Sequence, residues 1–312
     1  MAIDEKHHAS AKSNYFDWQE IQERDKLYRV FIVSENEDIS TNDLAFHQGP
    51  EKAIYNLRGK EDDSSLNTSG FAFRQHTTCV KDFSRGRRLK RGTQLRDTSY
   101  VAKGTTIDLN NPMELLKPAA HVFIGTVNSQ ISSVESRVRQ KLPERADELL
   151  QGRVRIVNIW RPIRGPVLNH NLALCDGRTL VDPGRVEADH IRRQYSGSTF
   201  YMKYSEKYRL HHLHAHQPDE VTLIKCFDSD TAVEALWAPH ASFSLDSPGL
   251  RDESRASIEI RALIFTDAGS RDTGSLLKHH PRSLNTIISL SDYGLGILIR
   301  ESSYFSDSIS FF

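Results

Sequence analysis

The sequence predicts a mainly β fold with flanking helices. Residues 221–227 form a short apolar run, and residues 258–264 alternate between apolar and polar side chains, as in a strand with one buried face. His240 lies between these two predicted strands, and an Arg-x-Ser sequence, Arg255 to Ser257, follows it fifteen residues later. One histidine and an Arg-x-Ser sequence placed in this way suit a jelly roll, the double-stranded β-helix.

The middle of the chain predicts a helix followed by another strand. Val134, Val138 and Leu142 fall on one side of the predicted helix, so we expect it to pack on the outside of the barrel. Residues 153–160 then alternate as a strand does. Its last residue, Trp160, would either line the mouth of a pocket or pack in the core.

Composition excludes several classes of protein. At 312 residues the chain is long for one domain, but all-β barrels often reach this size. Lys and Arg together number 41, as do Asp and Glu, so no bulk attraction to nucleic acid or membrane is expected. Cys79, Cys175 and Cys226 lack the spacing of a metal site, which favours buried thiols in a reducing compartment.

The start of the chain has no apolar signal core, and no apolar run reaches the roughly 18 residues of a membrane span. We therefore expect a soluble, cytoplasmic protein. The sequence also contains no nucleophile elbow, phosphate loop or dinucleotide fingerprint, which leaves hydrolase and nucleotide-binding functions without support.

Two polar clusters suggest binding sites but have simpler interpretations. The basic run at residues 85–91 has no interleaved aromatic side chains for stacking on bases, so we predict a solvated loop. Four histidines, His211, His212, His214 and His216, follow one another closely, and in a strand the last three would share one face. We interpret these histidines as strand-surface side chains, with metal binding as the alternative.

Several separated blocks carry a more specific signal. They are Tyr-Asn-Leu-Arg-Gly-Lys-Glu at 55–61, Gly-Phe at 70–71, Asn-Ile-Trp-Arg-Pro at 158–162, Leu-Ala-Leu-Cys-Asp at 172–176 and the stretch 218–265. In this order they resemble the fungal hydroxylase/desaturase family of the AsaB type, to which gibberellin desaturases and cephem methoxylases are similar. The resemblance implies a double-stranded β-helix that binds Fe(II) and 2-oxoglutarate and oxidises a small secondary metabolite.

The resemblance also implies which residues form the site. His121 and His240 would ligate iron, while Arg255 and Ser257 would hold the far carboxylate of 2-oxoglutarate. A guanidinium group offers a planar fork of donors that matches a carboxylate, and a serine hydroxyl adds one more donor. The nearby Arg251 is the alternative carboxylate anchor.

One position departs from the family pattern. The first iron-binding motif of the family is His-Val-Asp, whereas this chain has His121, Val122 and Phe123. Mononuclear Fe(II) oxygenases use two histidines and one carboxylate, and a benzyl side chain has no donor atom for a metal. We therefore predict a vestigial iron site. Asp228 and Asp230, which directly follow the first of the two predicted strands, are the candidates to replace the missing ligand.

The resemblance ends near residue 265, which suggests three parts. We predict an N-terminal arm at 1–50, the oxygenase-like domain at 51–266 and a C-terminal extension at 267–312. The extension is unusually apolar for a tail, so it should pack either on its own barrel or on a partner subunit.

These observations lead to three functional hypotheses. The first is a non-catalytic subunit that pairs with and stabilises an active oxygenase paralogue. The second is an active Fe(II)/2-oxoglutarate-dependent hydroxylase or desaturase with a rearranged iron site, in which Asp228 or a water takes the third ligand position. The third is a binding module that keeps the barrel cavity as a ligand pocket anchored by Arg255.

Overall fold

The computed structural model of this chain describes residues 8–17, 27–30, 44–75, 102–103, 124–125, 131–162, 165–182, 184–191, 196–243, 256–266, 285–289 and 298–301. Strands dominate these residues. The α-helices among them are α1 at Ile131–Lys141 and α2 at Ala146–Leu149. Neither has the length and apolar character that a membrane crossing requires.

The described strands are numbered in chain order. They are β1 Ala9–Ala11, β2 Asn14–Phe16, β3 Leu27–Val30, β4 Phe46–Gln48, β5 Lys52–Asn56, β6 Phe71–Gln75, β7 Ala102–Lys103, β8 Ile124–Gly125, β9 Arg153–Pro162, β10 Asn171–Cys175, β11 Arg185–Ile191, β12 Ser196–Met202, β13 Leu210–His212, β14 Glu220–Asp228, β15 His240–Phe243, β16 Ala256–Thr266, β17 Asn285–Ser289 and β18 Leu298–Glu301.

These strands form two large sheets. One has the order β1-β5-β13-β10-β15-β8-β12-β11-β3, and the other has the order β18-β17-β16-β9-β14-β6, with β7 also paired to β16. Most pairs are antiparallel, although β3 pairs with β11 and β5 with β13 in parallel. Leu174 and Leu213, from the first sheet and the turn after β13, pack against Trp160 and Ile224 of the second. The fold is the predicted jelly roll.

The two strands on which the prediction of the fold was based are confirmed. The burial of their residues explains how apolar side chains are distributed in their sequences. β14 is buried along its whole length because β6 and β9 flank it, so its sequence is a continuous apolar run rather than an alternating one. β16 pairs with β9 from Ser257 to Thr266. In its second half Ala262 and Ile264 pack in one cluster, while Leu263 and Phe265 pack in another.

The predicted helix is also confirmed as a packing element. Val134 and Val138 of α1 are fully buried against Ile156 of β9 and Leu263 of β16. Trp160 packs in the core between the sheets, which decides between its two predicted positions. Cys175 and Cys226 are buried free thiols, as expected, whereas Cys79 and the basic run at 85–91 lie outside the described residues.

The interpretation of the four histidines as surface side chains is wrong for two of them. His212 is 0% exposed and stands against Phe243 at a centroid distance of 5.5 Å. His216 is 3% exposed, and its ring centroid lies 5.1 Å from that of Trp160. The strand ends at His212 and Ala215 has a φ of 49°, so the turn breaks the alternation on which the interpretation depended.

Strands from both ends of the chain join the two sheets. β1 pairs with β5 and β3 with β11, while β17 pairs with β16 and β18 with β17. The described strands of the C-terminal segment therefore extend the second sheet of the chain's own barrel. The boundaries at residues 50 and 266 remain predictions.

Gly70 has a backbone conformation and a packing position that no other residue type satisfies easily. Its φ is +81°, and a Cβ atom there would lie 2.9 Å from the carbonyl oxygen of Trp237. Its own carbonyl accepts a 2.8 Å hydrogen bond from the backbone of Lys225. Gly70 thus joins the start of β6 to β14 and to the loop before β15.

We predict that Gly70→Ala lowers the free energy of unfolding by about 2–3 kcal/mol, because strain at positive φ adds to the overlap with Trp237. Gly165→Ala is the matched control, since Gly165 also has positive φ but nothing lies within 4 Å of the added Cβ. Urea denaturation of both variants measures the difference. Equal losses would show that the contact with Trp237 contributes nothing.

Candidate functional site

Strand register places His240 on the inner face of the first sheet. His240 is paired with Leu174 of β10, Leu174 with His211 of β13, and His211 with Tyr55 of β5. Directly paired residues share one face of a sheet, so these four side chains form a row. On its other side His240 is paired with Ile124 of β8, three positions after His121 in the sequence.

The structure thus brings His240 next to the strand that follows the predicted iron motif. His121 and Phe123 lie outside the described residues, as do Arg251 and Arg255. Their assigned roles remain predictions.

The His240 ring is held in the state that a metal ligand needs. Its Nδ1 lies 3.2 Å from the carbonyl oxygen of Ala238, and because a carbonyl can only accept, Nδ1 carries the proton and Nε2 keeps its lone pair. Burial lowers the pKa of His240, and the negative charge of Glu259 raises it by a smaller amount. Because the net pKa lies below that of a free imidazole, the ring is neutral at neutral pH. A neutral imidazole whose second nitrogen donates to a carbonyl is the usual state of a metal-bound histidine.

A hydrogen-bonded polar network lies on the facing sheet. Asn158 of β9 is fully buried and donates to Glu259 Oε1 at 2.7 Å, while Arg261 Nε donates to Asn158 Oδ1 at 2.9 Å. Both Glu259 and Arg261 act on the pKa of His240, which indicates that these β16 side chains face the same interior as the histidine. Glu259 is also paired with Trp160, which packs between the sheets, so among the described residues this interior holds a carboxylate and a guanidinium group as well as His240.

Sequence reasoning missed this network because it treated Glu259 and Arg261 only as the polar half of an alternating strand. Ser257, Glu259 and Arg261 are spaced by two residues and therefore share one face. That spacing was the available signal. Ser257 is itself buried and paired with Pro162, so the structure places its hydroxyl on the face that carries Glu259.

Asp228, a proposed substitute ligand, is already fully engaged. Arg153 donates to both carboxylate oxygens at 2.8 and 2.6 Å, Lys225 Nζ donates to Oδ2 at 2.6 Å, and the backbone of Asp230 donates to Oδ1. Asp230 is more exposed and lies 3.6 Å from Arg153. Metal binding by Asp228 would withdraw its carboxylate from the buried Lys225 and from Arg153, so its position supports a role in stability.

Among the described residues, no group of three or more His, Cys, Asp and Glu side chains is arranged to hold a metal. Within that part of the chain, His240 has the donor chemistry of an iron ligand, and Ser257 has that of a carboxylate contact.

We predict that Asp228→Asn destabilises the protein by about 3–5 kcal/mol, because the buried Lys225 loses its counter-charge. Asp230→Asn should cost at most about 1 kcal/mol, since that pair is partly exposed. Denaturant unfolding at pH 7 compares the two variants. A small loss for Asp228→Asn would show that the ion pairs are dispensable.

The effect of Asp228 should also depend on pH. Burial raises the pKa of this carboxyl, but hydrogen bonds and charges from Arg153 and Lys225 outweigh burial, and the net pKa lies below its usual value. Its stabilisation is therefore complete above the unfolded pKa of about 3.9 and is lost as the pH falls through the folded value. The difference between wild type and Asp228→Asn should stay constant from pH 7 to about 5 and shrink below pH 4.

Comparison with known proteins identifies the family to which the chain belongs. Residues 108–265 match a family described as an oxidoreductase/YMDC permease-like domain. The aspirochlorine biosynthesis protein N of Aspergillus oryzae is 38% identical over 131 residues, which cover 41% of this chain and 55% of that protein. The hydroxylase/desaturase asaB of Aspergillus flavus is 37% identical over 136 residues, which cover 38% of this chain and 59% of that protein.

The chain thus spans a little over half the length of these two relatives. Among solved structures, the iron and alpha-ketoglutarate-dependent endoperoxidase NvfI superposes with a TM-score of 0.66 over 83% of this chain and 98% of that one. At 19% sequence identity, this likeness shows the fold alone. Matches of this kind show that the chain belongs to the fungal hydroxylase/desaturase family of the AsaB type, whose fold is that of the iron and 2-oxoglutarate-dependent oxygenases.

Proposed function

We propose that this chain is a non-catalytic oxygenase subunit of fungal secondary metabolism that pairs with and stabilises an active paralogue. The observation that carries the proposal is the engagement of Asp228 by Arg153 and Lys225, which removes an acid that was a candidate to replace the ligand missing at Phe123. A relative whose name places it in aspirochlorine biosynthesis supports the metabolic setting.

The alternative function is that of an active oxygenase, and the position of Glu259 favours it. This acid acts on the pKa of His240 and uses Oε1 to accept from Asn158. In this alternative His240 would ligate Fe(II) through Nε2, and Glu259 would take the role first considered for Asp228. Bound iron and 2-oxoglutarate would supply the oxidising chemistry for a natural-product substrate.

The residues of this chain would then have separate tasks. Ser257 would donate its hydroxyl to a carboxylate of the co-substrate, and Arg261 would keep Asn158 oriented toward Glu259 through its 2.9 Å hydrogen bond. The buried carbonyl of Ala238 would hold the proton on Nδ1 of His240.

Iron analysis and turnover measurements distinguish the two functions. We predict that the isolated chain lacks stoichiometric iron and does not convert 2-oxoglutarate to succinate. We also predict that the chain, tagged and recovered from its fungal host, co-purifies 1:1 with an oxygenase paralogue. Turnover by that complex should survive His121→Ala and His240→Ala in this chain. His47→Ala, a change at an exposed histidine, is the matched control.

The opposite outcome is equally specific. One iron per isolated chain, with succinate formation that His240→Ala abolishes and His47→Ala leaves intact, would exclude the non-catalytic role. Loss of iron in Glu259→Gln, with near-ultraviolet circular dichroism unchanged, would then identify Glu259 as the carboxylate ligand.

A further inference from the structure

Two opposite charges lie next to each other on the inward face of β16. Glu259 and Arg261 are two residues apart, so their side chains point to the same side of the strand from backbone positions roughly 7 Å apart. Their strand partners are Trp160 and Asn158 of β9, and Trp160 packs between the two sheets. Both charges act on His240 of the first sheet. The pair therefore lies inside the barrel.

The pair is accessible although it faces inward. Glu259, Arg261 and His240 are partly exposed, whereas Asn158 beside them is fully buried. Leu263, two positions further along the same face of β16, is also fully buried, where it packs against α1. Because the two charged side chains point between the sheets, their accessible surface borders interior space that a small molecule can reach.

The carboxamide of Asn158 bridges the two charges. Its nitrogen donates to Oε1 of Glu259 at 2.7 Å, and its oxygen accepts from Nε of Arg261 at 2.9 Å. Among the residues that the structure describes, these are the hydrogen bonds of the two charged groups. Oε2 of Glu259 and the four N–H groups on the terminal nitrogens of Arg261 therefore remain for a ligand.

We propose that this pair binds a small zwitterion, an α-amino acid with an apolar side chain. Such a molecule has an ammonium group and a carboxylate on one carbon atom, so it presents a donor to Glu259 and an acceptor to Arg261. This repeats the donor and acceptor pattern of the Asn158 carboxamide with full charges. A simple acid or amine would satisfy one of the two groups and leave the other desolvated beside it.

Apolar side chains surround the pair. In strand register Ile224 lies beside Asn158, and Trp160 lies beside Glu259. Both pack between the sheets in one cluster with Leu174 of the first sheet. The side chain of a bound amino acid would contact this cluster, which favours an apolar side chain over a polar one.

The amino-acid site rests on the proposed function, in which Glu259 holds no iron. A carboxylate that ligated a metal would lose the oxygen that the ammonium group requires. In the non-catalytic subunit the barrel interior would bind this ligand without oxidising it.

Calorimetric titration of the full-length chain with L-leucine and with L-phenylalanine tests the proposal. Each amino acid is compared with the corresponding acid that lacks the ammonium group and with the corresponding amine that lacks the carboxylate. We expect saturable binding of at least one amino acid, at least about tenfold tighter than that of either of its analogues, because each analogue leaves one charged group without a partner.

Variants of the pair distinguish ligand binding from a structural role. Glu259→Gln and Arg261→Gln should each weaken amino-acid binding at least about tenfold. Glu259→Gln should also improve binding of the acid relative to the amino acid, since it removes a repulsive charge, and Arg261→Gln should do the same for the amine. A structural role alone would not produce these opposite preferences. Arg145→Gln and Glu148→Gln, which break an exposed ion pair at α2, are the matched controls and should leave binding unchanged.

Iron is measured on the same samples, so that the two proposals can fail separately. Bound iron would contradict the non-catalytic role whatever the titrations show. Absence of saturable binding of both amino acids, equal affinity for an analogue, or equal losses in the control variants would each overturn the amino-acid site. Near-ultraviolet circular dichroism checks each variant, and if a variant does not fold, the comparison of the three probes on the unaltered chain still decides.

Discussion

The pairing of β9 with β14 on one side and β16 on the other is the constraint on which the interior depends. Ile224, Asn158 and Arg261 lie side by side in this register, and a slip of one residue would turn each side chain to the opposite face. The hydrogen bonds from Arg261 to Asn158 and from Asn158 to Glu259 exist only in this register. The hydrogen-bonded network of Asn158, Glu259 and Arg261 on the sheet that faces His240 thus depends on strand alignment.

Two sets of charged side chains in this sheet have different consequences. Asp228, Arg153 and Lys225 satisfy one another almost completely, as buried charges must if their desolvation is to be offset. Glu259 accepts one bond from Asn158 and also acts electrostatically on the imidazole of His240. The ion pairs of Asp228 lie at the end of β14, whereas Glu259 faces the candidate site. Glu259 therefore faces the same interior as His240, although the sequence has Phe123 where the family motif has a carboxylate.

The row from Tyr55 to His240 crosses four strands on one face of the first sheet. Its polar members are His211 and His240, and burial lowers the pKa of both, so both rings are neutral at neutral pH. Nδ1 of His240 donates to the carbonyl of Ala238, whereas the buried Nδ1 of His211 has no hydrogen-bond partner. A single strand-to-strand register thus sets the spacing between His211 and the candidate iron ligand His240.

The sequence by itself determined the jelly roll, the packing helix α1 and the strands β14 and β16. These features depend on local periodicity and on blocks of residues that lie close together along the chain. Only the tertiary structure decided that His212 and His216 are buried, that Asp228 is bound by Arg153, and that Asn158 joins Glu259 to Arg261. Each of those outcomes requires a turn or a pairing between strands far apart in sequence, and hydrophobic periodicity within one strand contains no information about its partner.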